Sequence, residues 1–297
     1  METMDSLKRH IGTASDLHSL VRTMKALAAV NIRQLEHAVN SLADYSRTIE
    51  LGLRVVLRRH RVHRRLASKP AIQAKLGVII IGSDQGMCGP MNEQIVAHAF
   101  DELEASSLLS RDRVFMTVGE RIATRLEDAG NASDALLLAA SSTSGITPLV
   151  QDILLQIDNW HSQHAVNRIV VFYCEHLSRA SYRPQTLHLL PLDRAWLQEL
   201  ESQKWPSRVL PTFTMDRDVL FSSLVRQYLF VSLYRACAES MASENASRLT
   251  AMRGAERNIG DRITDLTKRF HQQRQMSITE ELLDIASGFE ALEVIDY

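Results

Sequence analysis

The stretch with the most chemical promise is Gly82-Ser83-Asp84-Gln85-Gly86-Met87-Cys88-Gly89. It follows a β-branched run and precedes a helical one, the setting in which backbone N–H groups can cradle a phosphate. Its glycines, however, fit neither G-x-G-x-x-G nor a Walker A loop, and no Lys-Ser or Lys-Thr follows. A tight structural or contact loop is the reading the spacing favours. Cys88 could be a nucleophile, but no neighbouring His or cationic pair in the sequence would lower its pKa, so a small packed thiol is expected. A second cluster, Arg54, Arg58, Arg59, His60, Arg61, His63, Arg64, Arg65 and Lys69, is cationic throughout. Its histidines have no carboxylate or cysteine beside them with which to hold a metal. Two readings of this run stay open: contact with an acidic partner or anionic lipid headgroups, and a solvated helix face. No Ser-His-Asp set, carboxylate pair or metal-ligand spacing stands out, so no catalytic, cofactor-binding or metal residues are assigned.

Composition narrows the class. A chain of 297 residues, 45% hydrophobic and 23% charged, is ordinary for a soluble protein. A net charge of -1 argues against general nucleic-acid binding. Cys88, Cys174 and Cys237 share no short spacing, which suggests neither a disulfide framework nor a zinc site and fits a reducing compartment. No apolar run approaches the ~18 residues a membrane helix needs, so no direct membrane span is expected. The N-terminus carries Glu2, Asp5 and helix signals rather than a targeting segment.

Two long proline-free stretches must position everything else. From Asp216 to the C-terminus, apolar or small residues recur at steps of three and four: Leu220, Leu224, Tyr228, Val231, Ala238, Ala242, Leu249, Met252, Ile259, Ile263, Leu266 and Phe270. That is a coiled-coil stripe. Its interior glycines, Gly254, Gly260 and Gly288, cost about 1 kcal/mol each relative to Ala, which a packed stripe can absorb. A helix of about 75 residues is about 110 Å long, whereas a compact chain of this size has a radius of gyration of about 19 Å. It is therefore expected to protrude, with a second helix along it. Leu7 to Leu66 supplies that partner through Leu17, Val21, Met24, Ala28, Leu35, Leu42 and Ile49. Because the two helices lie at opposite ends of the sequence, an antiparallel pair is the simplest closure. The small residues between Ala236 and Ala251 either permit close helix approach or are simply good helix formers; both readings stay open.

Between Pro70 and Pro211 the pattern changes to short apolar runs. Leu76–Ile81, Val114–Val118, Ile169–Cys174 and Thr186–Leu190 read as strands, with helices around Asn92–Leu103, Glu120–Asp128 and Thr147–Gln163. The alternation implies an α/β domain with a largely parallel sheet. The expected fold is α/β: a long antiparallel coiled coil of N- and C-terminal helices with an inserted small α/β domain. The boundaries fall at 1–69 for the first helix, 70–212 for the globular domain and 213–297 for the last helix. Beyond Arg274 every charged side chain is acidic, and Ile278, Leu282, Leu283, Ile285, Phe289, Leu292, Val294 and Ile295 cover more than one helix face. Such a tip is expected to sit inside another protein.

Three blocks resemble a known family. Met24-Lys25 with Ala28-Ala29 is similar to its Ala-Met-Lys stretch, and Ser83 to Gly89 with Asn92 to its Ser-Asp-x-Gly-Leu-Cys-Gly loop. The third and most specific block comprises Glu239-Ser240, Ser243-Glu244, Arg248, Ala251-Met252, Asn258, Leu266, Arg274-Gln275, Ile278-Thr279, Glu281, Ile285 and Gly288. Spread over nearly the whole chain, they resemble the gamma subunit of the rotary F-type ATP synthase. The resemblance implies a non-catalytic central-stalk rotor subunit with no cofactor of its own. It would couple proton or sodium ion flow to ATP synthesis or hydrolysis by touching catalytic subunits asymmetrically. The implied partners are the hexameric ring of catalytic and non-catalytic subunits, the epsilon-type subunit and the membrane-embedded ring, with no nucleic acid. The implied place is the cytoplasmic face of a bacterial inner membrane, peripheral through the complex. Carried over residue by residue, the contact positions are Met24, Lys25, Ser83, Asp84, Gly86, Cys88, Arg274, Gln275, Thr279 and Glu280. Departures point to a divergent branch, such as a second ATPase: Ile259 where the family has Ala, His271 for Asn, Pro90 and Met91 after the loop, and a less polar His10–Leu20. The chloroplast form's inserted cysteine pair is missing, so that thiol switch is not expected. A free-standing coiled-coil scaffold with an α/β head, and a nucleotide-binding enzyme with helical arms, are the competing readings.

Overall fold

A computed structural model describes residues 3–58, 75–105, 112–178, 181–209 and 211–293, with side chains up to 287. Its first helix, α1, spans Met4–Arg58, and its last, α6, spans Arg217–Glu293. Asp216 starts α6: its Oδ1 accepts from the N–H groups of Asp218 and Val219 at 3.0 and 3.2 Å, satisfying donors the helix cannot pair itself. Between them lie β1 (Lys75–Ile81), α2 (Met91–Ala105), β2 (Arg113–Val118), α3 (Glu120–Asp128), β3 (Ala135–Leu137), α4 (Thr143–His164), β4 (Val166–Ser178), β5 (Ser181–Leu190) and α5 (Arg194–Ser202).

The strands form one sheet in the order β3-β2-β1-β4-β5. The first four are mutually parallel, and β5 returns antiparallel to β4. Chain order steps outward from β1 to β3 and then back to β4. Connections thus leave β1 and enter β4 on opposite sides, which makes the β1/β4 boundary the sheet's topological switch point. β1 is buried along almost its whole length, as a strand covered on both faces must be. One face carries Met91, Ile95, Ala99, Ile122 and Leu126 from α2 and α3. The other packs against Ile146, Val150, Ile153 and Trp160 of α4 and against Leu233, Ala236 and Cys237 of α6. Gly77 in β1 permits this: a Cβ there would lie 2.8 Å from the Trp160 ring. No helix among the described residues is long and apolar enough to cross a membrane.

The chain divides into two units, Ala28–Thr250 and Met1–Leu27 with Ala251–Tyr297. Within the first, α1 and α6 run antiparallel: Ala28 and Ile32 pack with Ala246 and Leu249, while Ile49 and Leu53 pack with Val231. Asn31 Nδ2 donates to Asn245 Oδ1 at 3.4 Å, and Tyr45 Oη to Gln227 Oε1 at 2.8 Å. In the second unit, Lys25 of α1 pairs with Glu256 of α6.

Two elements lacked a sequence signal. β3 is three residues long, too short to show an alternation. α5 is a nine-residue helix capped by Asp193, whose Oδ1 accepts from Ala195 N at 2.8 Å. It covers the end of α1: Leu197 and Leu200 pack with Leu57, and the Trp196 ring lies 4.6 Å from that of Tyr228. Arg54 differs from both readings of the arginine run, whereas Arg58 stands exposed at the end of α1. Arg54 is buried and donates to Gln203 Oε1, and Arg58 Nε donates to Glu201 O at 3.3 Å, so these cations tie α1 to α5. Arg59, His60, Arg61, His63, Arg64, Arg65 and Lys69 lie outside the described residues.

Candidate partner-contact site

The loop after β1 is closed by its own polar groups. Ser83 N donates to Asn92 Oδ1 at 3.2 Å, and Asn92 Nδ2 donates to Ser83 Oγ at 2.8 Å, so the loop is clamped to the first turn of α2. The Ser83 hydroxyl donates onward to Gln85 O at 3.0 Å. Asp84 fastens two further elements. One carboxylate oxygen accepts from Glu120 N at the start of α3, the other from Ala139 N just past β3, each at 3.0 Å. A negative group at a helix N-terminus is favourable, and here the protein supplies it from within. That carboxylate takes the α3 end that a bound phosphate would otherwise use.

Cys88 is equally internal. Its sulfur lies 3.4 Å from Ser83 Oγ and 3.6 Å from Asn92 Nδ2, and the side chain is buried. Burial also pushes the thiols of Cys174 and Cys237 up to about 12, which keeps them protonated and unreactive at neutral pH. Next to Cys88, Met87 and Gly89 adopt left-handed backbone, with φ of 61° and 59°. Gly89 is doubly constrained, since a Cβ would meet Ser247 Oγ at 2.8 Å. The turn leaves Gln85 and Gly89 exposed and Met87 59% exposed, so these residues and the half-buried Gly86 are what the loop offers outward.

What holds the loop from the other side is α6. Ser247 donates to Cys88 O, Ser240 to Ile81 O at 3.3 Å, and the Ser243 hydroxyl lies 2.9 Å from Cys174 O. Ser243 also reaches the carbonyl of Glu239, one turn back in its own helix, at 2.8 Å, so its single proton is shared. In open α/β sheets the crevice beyond the carboxyl ends at the switch point is where ligands bind. Here the protein's own helix fills it. Flanking these serines, Glu244 pairs with Arg248 within the helix. Burial pushes the Glu244 carboxyl above its ordinary range, against the opposing pull of Arg248, and the nearby Asp84 charge adds to the rise. Tyr173 is raised likewise, by burial first and then by the Glu239 carboxylate.

The remaining sequence-derived positions lie in the other unit. Met24 and Lys25 are half-buried on α1. The Lys25 ammonium, hydrogen-bonded to Glu256, holds that carboxyl below its usual range. Arg274, Gln275, Thr279 and Glu280 are exposed on α6. They are interleaved with the exposed apolar side chains Met276, Ile278, Leu282, Leu283 and Ile285. The loop residues and the serines come together in one cluster, while Arg274 to Glu280 form a separate stretch. The contacts of the serines and the helix-capping role of Asp84 are what sequence reasoning missed. A serine at every third or fourth helix position was the available signal, but it reads equally as small-residue packing.

Residues 3–292 match the family model described as ATP synthase. The chain is 28% identical over 318 residues to the ATP synthase gamma chain of Nostoc punctiforme, covering 98% of this chain and 100% of that one. It is 25% identical to the ATP synthase gamma chain of Glaesserella parasuis, covering 96% and 98%. Among solved structures, a chain of the Euglena gracilis mitochondrial ATP synthase rotor superposes with a TM-score of 0.59 at 16% identity, over 93% of this chain and 98% of that one. A chain from another rotational state of the same assembly gives a TM-score of 0.61 at 18% identity, over 97% and 94%. The sequence matches and the shared fold run together over nearly the whole length, and the chain belongs to the ATP synthase gamma-subunit family.

Proposed function

We propose that the chain is the central-stalk rotor subunit of an F-type ATP synthase, coupling proton or sodium ion flow through a membrane-embedded ring to ATP synthesis or hydrolysis. The observation that carries this reading is the match over residues 3–292, which takes in both terminal helices and the inserted α/β domain in their family order. The family's rotor acts by contact rather than by chemistry. An asymmetric shaft inside a ring of three catalytic and three non-catalytic subunits touches each catalytic site differently. Coupling free energy is that difference in contact between states of the site.

In this reading Met24, Lys25, Arg274, Gln275, Thr279 and Glu280 face the catalytic subunits, and the exposed apolar residues 276–285 bear on the ring. The loop from Ser83 to Gly89 meets the same subunits through Gln85, Gly86 and Met87, because Ser83, Asp84 and Cys88 are committed inside the fold. The α/β domain contacts the epsilon-type subunit and the membrane ring. The complex is peripheral at the cytoplasmic face of a bacterial inner membrane. Affinity purification of the tagged chain from membranes tests the assignment. Catalytic, non-catalytic, epsilon-type and ring subunits are expected to accompany it, whereas recovery of the chain alone or with unrelated proteins would favour a free-standing scaffold.

A further inference from the structure

We infer that Ser240, Ser243 and Ser247 are positioning residues that lock α6 in one register on the carboxyl edge of the sheet, so that torque passes between helix and α/β domain without slip. The inference rests on the rotor reading and adds a specific load path to it. The three hydroxyls sit at spacings of three and four, hence on one helix face. They are directed at three main-chain carbonyls that belong to different parts of the sheet edge: Ile81 at the end of β1, Cys174 in β4 and Cys88 in the loop.

The need for them follows from the sheet. The pairing of β1 with β4 stops at Ile80 and Phe172, so among the described residues no strand flanks Cys174 on that side. On its other side Cys174 stands opposite Pro184, which has no N–H to give. The Cys174 carbonyl therefore takes its hydrogen bond from outside the sheet, and Ser243 provides it. Leu233 and Met241 are the larger buried apolar members of this stretch of α6, and the others beside the serines are small: Ala236, Cys237, Ala238, Ala242 and Ala246. Such side chains let the helix approach closely but define its axial and rotational position weakly, because one alanine resembles the next after a slip of a turn. Directional hydrogen bonds to fixed carbonyls remove that degeneracy. A slip breaks the three together while the carbonyls they leave stay buried, so the lock yields as a unit. When the catalytic ring hydrolyses ATP with no membrane ring attached, nothing loads this contact. Against an ion gradient, torque passing between helix and domain loads it, together with the α1 contacts made by Leu35 and by Glu36 with His176.

The test reconstitutes the complete complex in vesicles with this chain carrying S240A, S243A or S247A singly and all three together. Ser222→Ala and Ser223→Ala are the controls on the same helix, since their hydroxyls return to its own carbonyls. The ATP-driven ion gradient sustained at steady state is expected to fall by ~2-fold or more in the triple variant and in smaller steps in the single ones. Hydrolysis by the detached catalytic sector is expected to stay within ~20% of the unsubstituted value, as for removal of neutral hydrogen bonds remote from the chemistry. An unchanged gradient, or a gradient that falls only in proportion to detached hydrolysis, would overturn the lock. Failure of the unsubstituted chain to restore any gradient would instead count against the rotor reading beneath it.

Discussion

Residues 236–249 and 276–287 belong to the same helix and are both rich in side chains that avoid water, yet their surroundings are opposite. In the first stretch Ala246 and Ser243 are 0% exposed, enclosed between the sheet edge and α1. In the second, Leu282 and Leu283 are 61% and 63% exposed. The first stretch uses small residues and serines because its neighbours are already there and close. The second uses large aliphatics with acidic neighbours, the composition of a surface that keeps an isolated chain soluble and buries its apolar area against another protein. One region holds the molecule together, and the other leaves its large side chains exposed.

Overfilling the enclosed stretch gives the largest expected effect. Ala246→Leu places added volume between α6 and α1 where no space exists, and a loss of about 3 kcal/mol is expected, read as a lowered midpoint in urea. Retention of the normal midpoint would mean that the helices are not closely packed there. Asp84→Ala follows. It removes the acceptor of the exposed Glu120 N–H and of the part-buried Ala139 N–H, with an expected loss of about 1 kcal/mol in the same measurement.

A smaller effect separates two glutamates of α6. Burial raises Glu244, so its contribution to stability is present below the ordinary carboxylate range and is lost as pH rises through its raised value. Glu256 is lowered by Lys25, so its contribution is present above that range and is lost as pH falls through the depressed value. Carboxyl-carbon NMR is expected to place the Glu244 midpoint above that of Glu256, and Lys25→Gln to move Glu256 upward while leaving Glu244 in place. Coincident midpoints would contradict both environments. The smallest effect belongs to the exposed stretch. Leu283→Ala changes the stability of the isolated chain by less than about 0.5 kcal/mol, yet weakens coupling in the assembled complex. A stability loss of core size would show that Leu283 is packed within its own chain.

The long helices and the sheet were legible because their periods persist: stripes at three and four over tens of residues for α1 and α6, and β-branched runs for β1, β2 and β4. β3 and α5 were not, since each owes its existence to neighbours. β3 is held by pairing to β2, and α5 by the apolar end of α1 and by Arg54 and Arg58. The loop at Ser83 was visible, but not its inward direction. That direction depends on Asn92, nine residues on, and on Ala139, fifty-five residues away from Asp84. Nor could spacing say that Ser240, Ser243 and Ser247 face the end of β1, the body of β4 and the loop, because a helical serine looks the same whether it meets its own backbone or another element's.

The most direct measurement pairs the catalytic hexamer and the membrane ring in sealed vesicles, with and without this chain, and follows ATP-driven ion uptake beside ATP turnover by the purified chain. Uptake only when the chain is present, together with no turnover by the chain alone, is the predicted result. Uptake of equal size in its absence, or hydrolysis of ATP by the chain unaided, would contradict the account.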